Sequence, residues 1–301
     1  MYENINTSIE SHGIKFNKYF KNLLSSYLSK NKLSKAMLYG TFNGGKRIRP
    51  YIIRAFGEIV NLPKNNYYQL SAAVECIHSY SLIHDDLPCM DNDIIRRGKP
   101  STHIKFGEAT AVLAGNSLVI VAFEILSDKK LNLNEKIKNK LIKKLSECSG
   151  HTGIAGGQFL DLKFENKKFS KKKILDMQLK KTGKLFSFCC AAPLIIKNIN
   201  LKKIKQFETI GSEIGLMFQI VDDLIDHRGD SKKAGKKTKK DHKLGKATLI
   251  SLLGYNNTVI YAEKLRLKIK KKLNNYGKKS NSLNETLRYI INRSKWTIIS
   301  I

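Results

Sequence analysis

Apolar residues recur three and four positions apart over long stretches of this 301-residue chain, and only five prolines (Pro50, Pro63, Pro88, Pro100 and Pro193) interrupt them. That spacing keeps one face of an α-helix apolar, and so few breakers let helices run long. Alternation of Val, Ile and Thr with polar residues is scarce. The expected fold class is therefore all-α. No fixed-period repeat and no convincing linker is present, so residues 1–301 are read as a single domain.

The periodicity places amphipathic helices over residues 5–39, where Phe16, Phe20, Leu24 and Leu28 share a spacing of four. A turn-rich break at 40–50 precedes helices over 51–60 and 66–86, the second closed near Pro88. A polar loop covers 91–103. The stretch Ala109 to Leu126 is very apolar, but Gly115, Asn116, Ser117 and Glu124 make it a helix buried inside a bundle rather than a membrane span. Helices continue to about residue 228, a loop dense in Lys and Gly follows to 245, and the last helices run over 248–291 around a polar patch at 274–284.

Net charge is +30, from 55 Lys+Arg against 25 Asp+Glu. It does not by itself mark a nucleic-acid binder, because the lysines are spread along the chain instead of concentrated on one face. The nine arginines are more informative: five lie between positions 47 and 97. Five cysteines without a C-x-x-C spacing read as reduced thiols, and the N-terminal MYENINTSIESHG lacks a signal-peptide layout. The expected location is cytoplasmic.

In a chain poor in acid, two acidic clusters stand out. Asp85-Asp86-Leu87-Pro88-Cys89-Met90-Asp91 follows an apolar helix, and so does Asp222-Asp223-Leu224-Ile225-Asp226. Asp222 and Asp226 are i and i+4, about 6 Å apart on one helix face. Asp85 and Asp91 would lie on different faces of a continuous helix, and Pro88 is placed to end or distort it. One such cluster is more often a cap or a surface patch. Two, both at the ends of core helices, point to a divalent cation, and all-carboxylate donors favour Mg²⁺ bridging to phosphate oxygens.

Cations complete the pattern. Gly44-Gly45-Lys46-Arg47-Ile48-Arg49-Pro50 offers backbone amides and three cations in one turn, a fitting diphosphate cradle. Arg96-Arg97-Gly98 follows the first acid cluster, and Lys181-Thr182-Gly183, Lys236 and Lys246 accompany the second. Arginine beside carboxylates carries weight because its planar fork matches phosphate oxygens.

GGKRIRP, ECIHSYSLIHDDLPCMD, NDIIRRG, GGQFLD, KTG and FQIVDDLID together resemble the trans-isoprenyl diphosphate synthases, closest to the bacterial farnesyl diphosphate type, over roughly residues 36–295. The resemblance implies an all-α bundle around a deep central cavity, a homodimer, and prenyl diphosphates as substrates. It implies that Asp85 and Asp91 hold two Mg²⁺ ions and Asp222 a third, with Asp86, Asp223 and Asp226 supporting. Arg96, Lys181, Thr182, Gln219, Lys236 and Lys246 are implied to bind the allylic diphosphate, and Lys46, Arg49, His78 and Arg97 isopentenyl diphosphate. The chemistry implied is ionisation, condensation and elimination, giving farnesyl diphosphate and pyrophosphate.

Tyr80 lies five residues before Asp85, about 7.5 Å along the helix axis, and by the same resemblance its ring floors the prenyl pocket. A geranylgeranyl diphosphate synthase of the same fold and a non-catalytic partner subunit are the alternatives. A terpene cyclase fits less well, since GGKRIRP implies a second diphosphate substrate. Two departures bear on the site. Arg228, after the second acid cluster, is a candidate to compete for Asp226 or touch diphosphate, and lysines crowd the 232–246 loop where relatives often carry glycine.

Overall fold

A computed structural model describes residues 5–229 and 245–293. Helix accounts for 79% of the described residues, as the spacing of apolar residues requires. The chain clusters into two compact units: residues up to Ser146 together with Cys189–Ile204, and Glu147–Phe188 together with residues from Lys205 onward.

In the first unit, α1 (Ile5–Tyr27), α2 (Lys32–Thr41), α3 (Ile48–Ile59) and α4 (Lys64–Asp85) precede a two-residue hairpin, β1 (Ile95–Arg96) and β2 (Lys99–Pro100). Then come α5 (Thr102–Phe106), α6 (Glu108–Ser127) and α7 (Glu135–Ser149). Helix α1 buries Ile9, Phe16, Phe20 and Leu24, one stripe at helical spacing. Asn31 caps α2 by accepting from the Ser34 amide at 2.8 Å. Helix α4 is the centre of this unit, buried from Tyr68 to Ile77 without a break, and it packs chiefly on α6 and α3.

Helix α6 departs from the expectation of all-round burial. Ala111, Ala114, Gly115, Leu118 and Ala122 are buried, and the alanines and the glycine among them are small enough to let it approach α4 closely. Val112, Leu113 and Ile120 are exposed on its other side. Among the described residues it is the one helix long and apolar enough to cross a membrane by length and composition. An apolar count cannot separate a two-sided core helix from one with a bare apolar face, and α6 is the latter.

The second unit contains α8 (Ile154–Lys163), α9 (Lys171–Gln178), one turn of π-helix at Leu179–Gly183, and most of α11 (Leu201–Arg228). It continues with α12 (Leu249–Leu253), α13 (Tyr255–Leu273), a 3-10 segment at Asn274–Ser280, and α14 (Asn281–Asn292). Helix α10 (Lys184–Ile196) carries Pro193 inside it. Thr248 caps α12 with a reciprocal pair of side-chain bonds to Ser251.

Candidate active site

Helix α4 stops at Asp85 because Pro88 has no N–H to give the His84 carbonyl. The chain then coils back. Leu87 donates to His84 O at 3.1 Å, Met90 to Leu87 O at 2.9 Å, and Asp91 to Asp85 O at 2.9 Å. Asp93 donates to Asp86 O at 3.1 Å. Two pairs of acids result. Asp86 and Asp93 are buried, whereas Asp85 and Asp91 are part-exposed.

The hairpin supplies the cations. Its two-residue turn puts Arg97 and Gly98 at positive φ (53° and 76°), the geometry of a tight hairpin turn. Arg96 therefore points from the strand to Asp86 and Asp93, bonding Asp86 through Nε at 2.9 Å and Asp93 through a terminal nitrogen at 3.1 Å. Burial opposes its charge, but Asp86 and Asp93 hold the guanidinium above its ordinary range. Arg97, one residue on, donates to the Gly44 carbonyl instead. Asn43 ties the same turn to the hairpin through Arg96 O at 3.1 Å.

The three cations expected to line one cradle in GGKRIRP differ in exposure. Lys46 is exposed and Arg49 part-exposed, but Arg47 is buried. It bonds Glu75 on α4, which sequence reasoning passed over. His78, three residues on, is held well below its ordinary pKa by burial and by Arg49, Arg97, Arg47 and Arg96. It is thus neutral near pH 7. Tyr80 packs edge-on against His84, ring centroids 5.4 Å apart, and burial followed by Asp85 pushes its phenol pKa up.

In the second unit the π-turn sits against two close helix approaches. A side chain at Gly157 of α8 would collide with the backbone of Lys181, and one at Gly215 of α11 would meet Gly183. One helical turn beyond each glycine stands a polar partner. Asp161, four after Gly157, accepts from Lys181 Nζ at 2.6 Å and from Lys246 Nζ at 3.2 Å. Burial raises its pKa, but the two ammonium groups outweigh that and hold it at about 2. Gln219, four after Gly215, accepts from the Thr182 hydroxyl at 2.7 Å and donates to Asp223 at 2.8 Å. Gln178 donates to the other Asp223 oxygen at 2.8 Å. A π-turn is a common local device at functional sites, since it re-aims one side chain without ending the helix.

Asp161 was not singled out in the sequence, although its motif GGQFLD was. The signal lay in a lone acid inside an apolar run of a lysine-rich chain. Asp222 is part-exposed and pairs with Arg293 at 2.9 Å, while Asp226 is buried. Their shared helix face thus does not give them equal access. Arg228 lies over the Tyr255 ring, 4.9 Å from its centroid. Lys236 falls outside the described residues.

No three His, Cys, Asp or Glu side chains among the described residues stand close enough to hold a metal ion by themselves. The part-exposed carboxylates of Asp85 and Asp91 are donors of the kind that Mg²⁺ takes, one or two at a time beside water and phosphate oxygens.

A family model described as Polyprenyl synthetase matches residues 30–289. The chain belongs to this family. It is 38% identical to the farnesyl diphosphate synthase of Escherichia coli (strain K12) over 264 residues, 86% of this chain and 88% of that protein. Among solved structures, an FPP/GFPP synthase from Zymomonas mobilis in its apo form superposes with TM-score 0.85 at 36% identity, covering 96% of this chain and 99% of that one. A geranyltransferase from Helicobacter pylori, complexed with magnesium and isoprenyl diphosphate, superposes with TM-score 0.79 at 33% identity, covering 94% and 96%.

Proposed function

We propose that this polyprenyl synthetase is a prenyl transferase that adds isopentenyl diphosphate to dimethylallyl and then geranyl diphosphate, releasing pyrophosphate and ending at farnesyl diphosphate. The observation that carries the reading is the return of Asp91 onto Asp85 at the end of α4, within a chain 38% identical to a farnesyl diphosphate synthase.

Asp85 and Asp91 would hold two Mg²⁺ ions and Asp222 a third, with Asp86, Asp223 and Asp226 shaping the local charge. A metal held there would supply positive charge where negative charge develops on the departing pyrophosphate. Lys181, Lys246, Thr182 and Gln219 grip the allylic diphosphate, joined by Arg96 and Lys236. Lys46, Arg49, His78 and Arg97 orient isopentenyl diphosphate so that its double bond attacks the allylic cation. Apolar walls keep water from that cation, and the adduct loses its proton to the released pyrophosphate. Tyr80 closes the pocket at the length of a C15 chain.

Two further parts of the reading have support. The exposed Val112, Leu113 and Ile120 on α6 suit a second copy of the chain, hence a homodimer. Cys76, Cys89 and Cys190 are free thiols, in keeping with the cytoplasm.

The test is a primer series: purified protein, Mg²⁺, labelled isopentenyl diphosphate and, separately, C5, C10 and C15 allylic diphosphates. The reading expects a C15 product from the first two primers and no extension of the third, with Tyr80→Ala extending further. A C20 product from the unaltered protein overturns the Tyr80 floor, and no product from any primer favours the non-catalytic partner subunit.

A further inference from the structure

We infer that Glu75 is a positioning residue for isopentenyl diphosphate: its buried carboxylate on α4 turns Arg47 inward and thereby sets where Lys46, Arg49 and Arg97 present their charge. This rests on the substrate reading proposed above.

Arg47 is the N-cap of α3 and adopts φ 52° and ψ 45°, a left-handed conformation disfavoured for a residue with a side chain. Each of the three nitrogens of its guanidinium has a partner. One terminal nitrogen bonds the Glu75 carboxylate, Nε donates to Asn17 Oδ1 at 2.8 Å, and the other terminal nitrogen donates to the Thr41 carbonyl at 2.7 Å. The Phe42 ring lies 5.6 Å beneath it. The side chains of Arg47 and Glu75 are only 2% and 3% exposed. Asn17 is on α1, Thr41 ends α2 and Glu75 is on α4, so Arg47 pins the glycine-rich turn to three helices at once. With Arg47 fixed inward, nearby directions are set: Lys46, one before it, faces solvent, and Arg49, two after it, lies in the first turn of α3.

The charges argue the same way. Arg97 is pulled down to about 10 by burial and by Arg47, while Glu75 works in the opposite sense. Arg97 also packs on Gly45. Arg47, Arg49, Arg96 and Arg97 all act on His78 and repel one another, and a buried carboxylate among them lets them stay close before any diphosphate arrives. Glu75 and His78 are i and i+3, on one face of α4.

A buried ion pair kept only for stability affects both substrates alike, and a positioning pair does not. Glu75→Gln keeps the shape and removes the charge, while Asn17→Ala removes a different Arg47 bond and leaves the ion pair intact. The experiment measures KM for isopentenyl and for geranyl diphosphate separately, the melting temperature, and calorimetric binding of isopentenyl diphosphate alone. Glu75→Gln is expected to raise KM and Kd for isopentenyl diphosphate about tenfold, and Asn17→Ala about threefold, with kcat and the geranyl KM within about twofold. Glu75→Asp is expected to recover part of the loss. Equal rises in both KM values, or an unchanged isopentenyl KM in the folded variants, overturn the inference. Should Glu75→Gln fail to fold, Asn17→Ala decides by the same criterion. An unaltered protein that neither binds isopentenyl diphosphate nor transfers prenyl groups overturns the substrate reading and this inference together, a result distinct from active protein with unselective variants.

Discussion

The backbone amide of Asp91 donates to the carbonyl of Asp85 at 2.9 Å, so two acids six residues apart in sequence meet at the end of α4. The four residues from Leu87 to Met90 have the length that permits this return. Deleting Cys89 keeps every acid and shortens the loop by one residue. Mg²⁺-dependent binding of inorganic pyrophosphate, measured by calorimetry, is expected to weaken by at least about tenfold, as for displaced metal-site geometry generally. Unchanged binding would show that the loop register does not matter.

Arg293, beside the end of α14, pairs with Asp222 at 2.9 Å and lies 4.6 Å from the Phe218 ring centroid. A cation already on that carboxylate opposes the arrival of another. Arg293→Gln is expected to lower the Mg²⁺ concentration for half-maximal turnover about two- to fivefold, since a part-exposed ion pair is worth about 0.5–1 kcal/mol. Mg²⁺ titrations of the two proteins check this. A higher requirement in the variant would assign Arg293 a helping role instead.

Asp161 gathers Lys181 and Lys246. In Asp161→Asn the two ammonium groups lose their shared anion, and removing one partner of a buried pair costs about 3–5 kcal/mol. The expected outcome is a lower melting temperature and a KM for geranyl diphosphate raised about tenfold, with the isopentenyl KM little changed. Steady-state kinetics with each substrate varied in turn would detect it.

His12 is buried among Phe16, Tyr51, Tyr67 and Tyr68. Burial first, and Arg54 second, lower its pKa from 6.5 to about 4. Its contribution is complete above about pH 6.5 and is lost as pH falls toward 4, because the unfolded chain takes up the proton first. Between pH 7.5 and 5 the unfolding free energy is expected to drop by about 2 kcal/mol from this group. Urea unfolding at both pH values, with His12→Gln as the control lacking the drop, measures it.

Much of this site is written locally. The paired acids are conspicuous against so many lysines, and Pro88 marks where α4 has to end. Residues whose partners lie far along the chain are harder to read. Glu75 meets Arg47 and Asp161 meets Lys181 and Lys246 only after folding, and within their own segments each reads as an isolated acid in an apolar helix. Arg47 looked equivalent to its neighbours Lys46 and Arg49 because a sequence does not display a left-handed N-cap. Likewise, the composition of α6 says nothing about which of its faces meets α4 and which is left bare.

Both acid clusters are proposed above to serve Mg²⁺-dependent prenyl transfer. Turnover of geranyl diphosphate with labelled isopentenyl diphosphate, compared for the unaltered protein, Asp85→Ala and Asp222→Ala, tests it most directly. Each substitution is expected to cut turnover by about a hundredfold or more with the fold intact by circular dichroism. Near-normal turnover in either folded variant would contradict it.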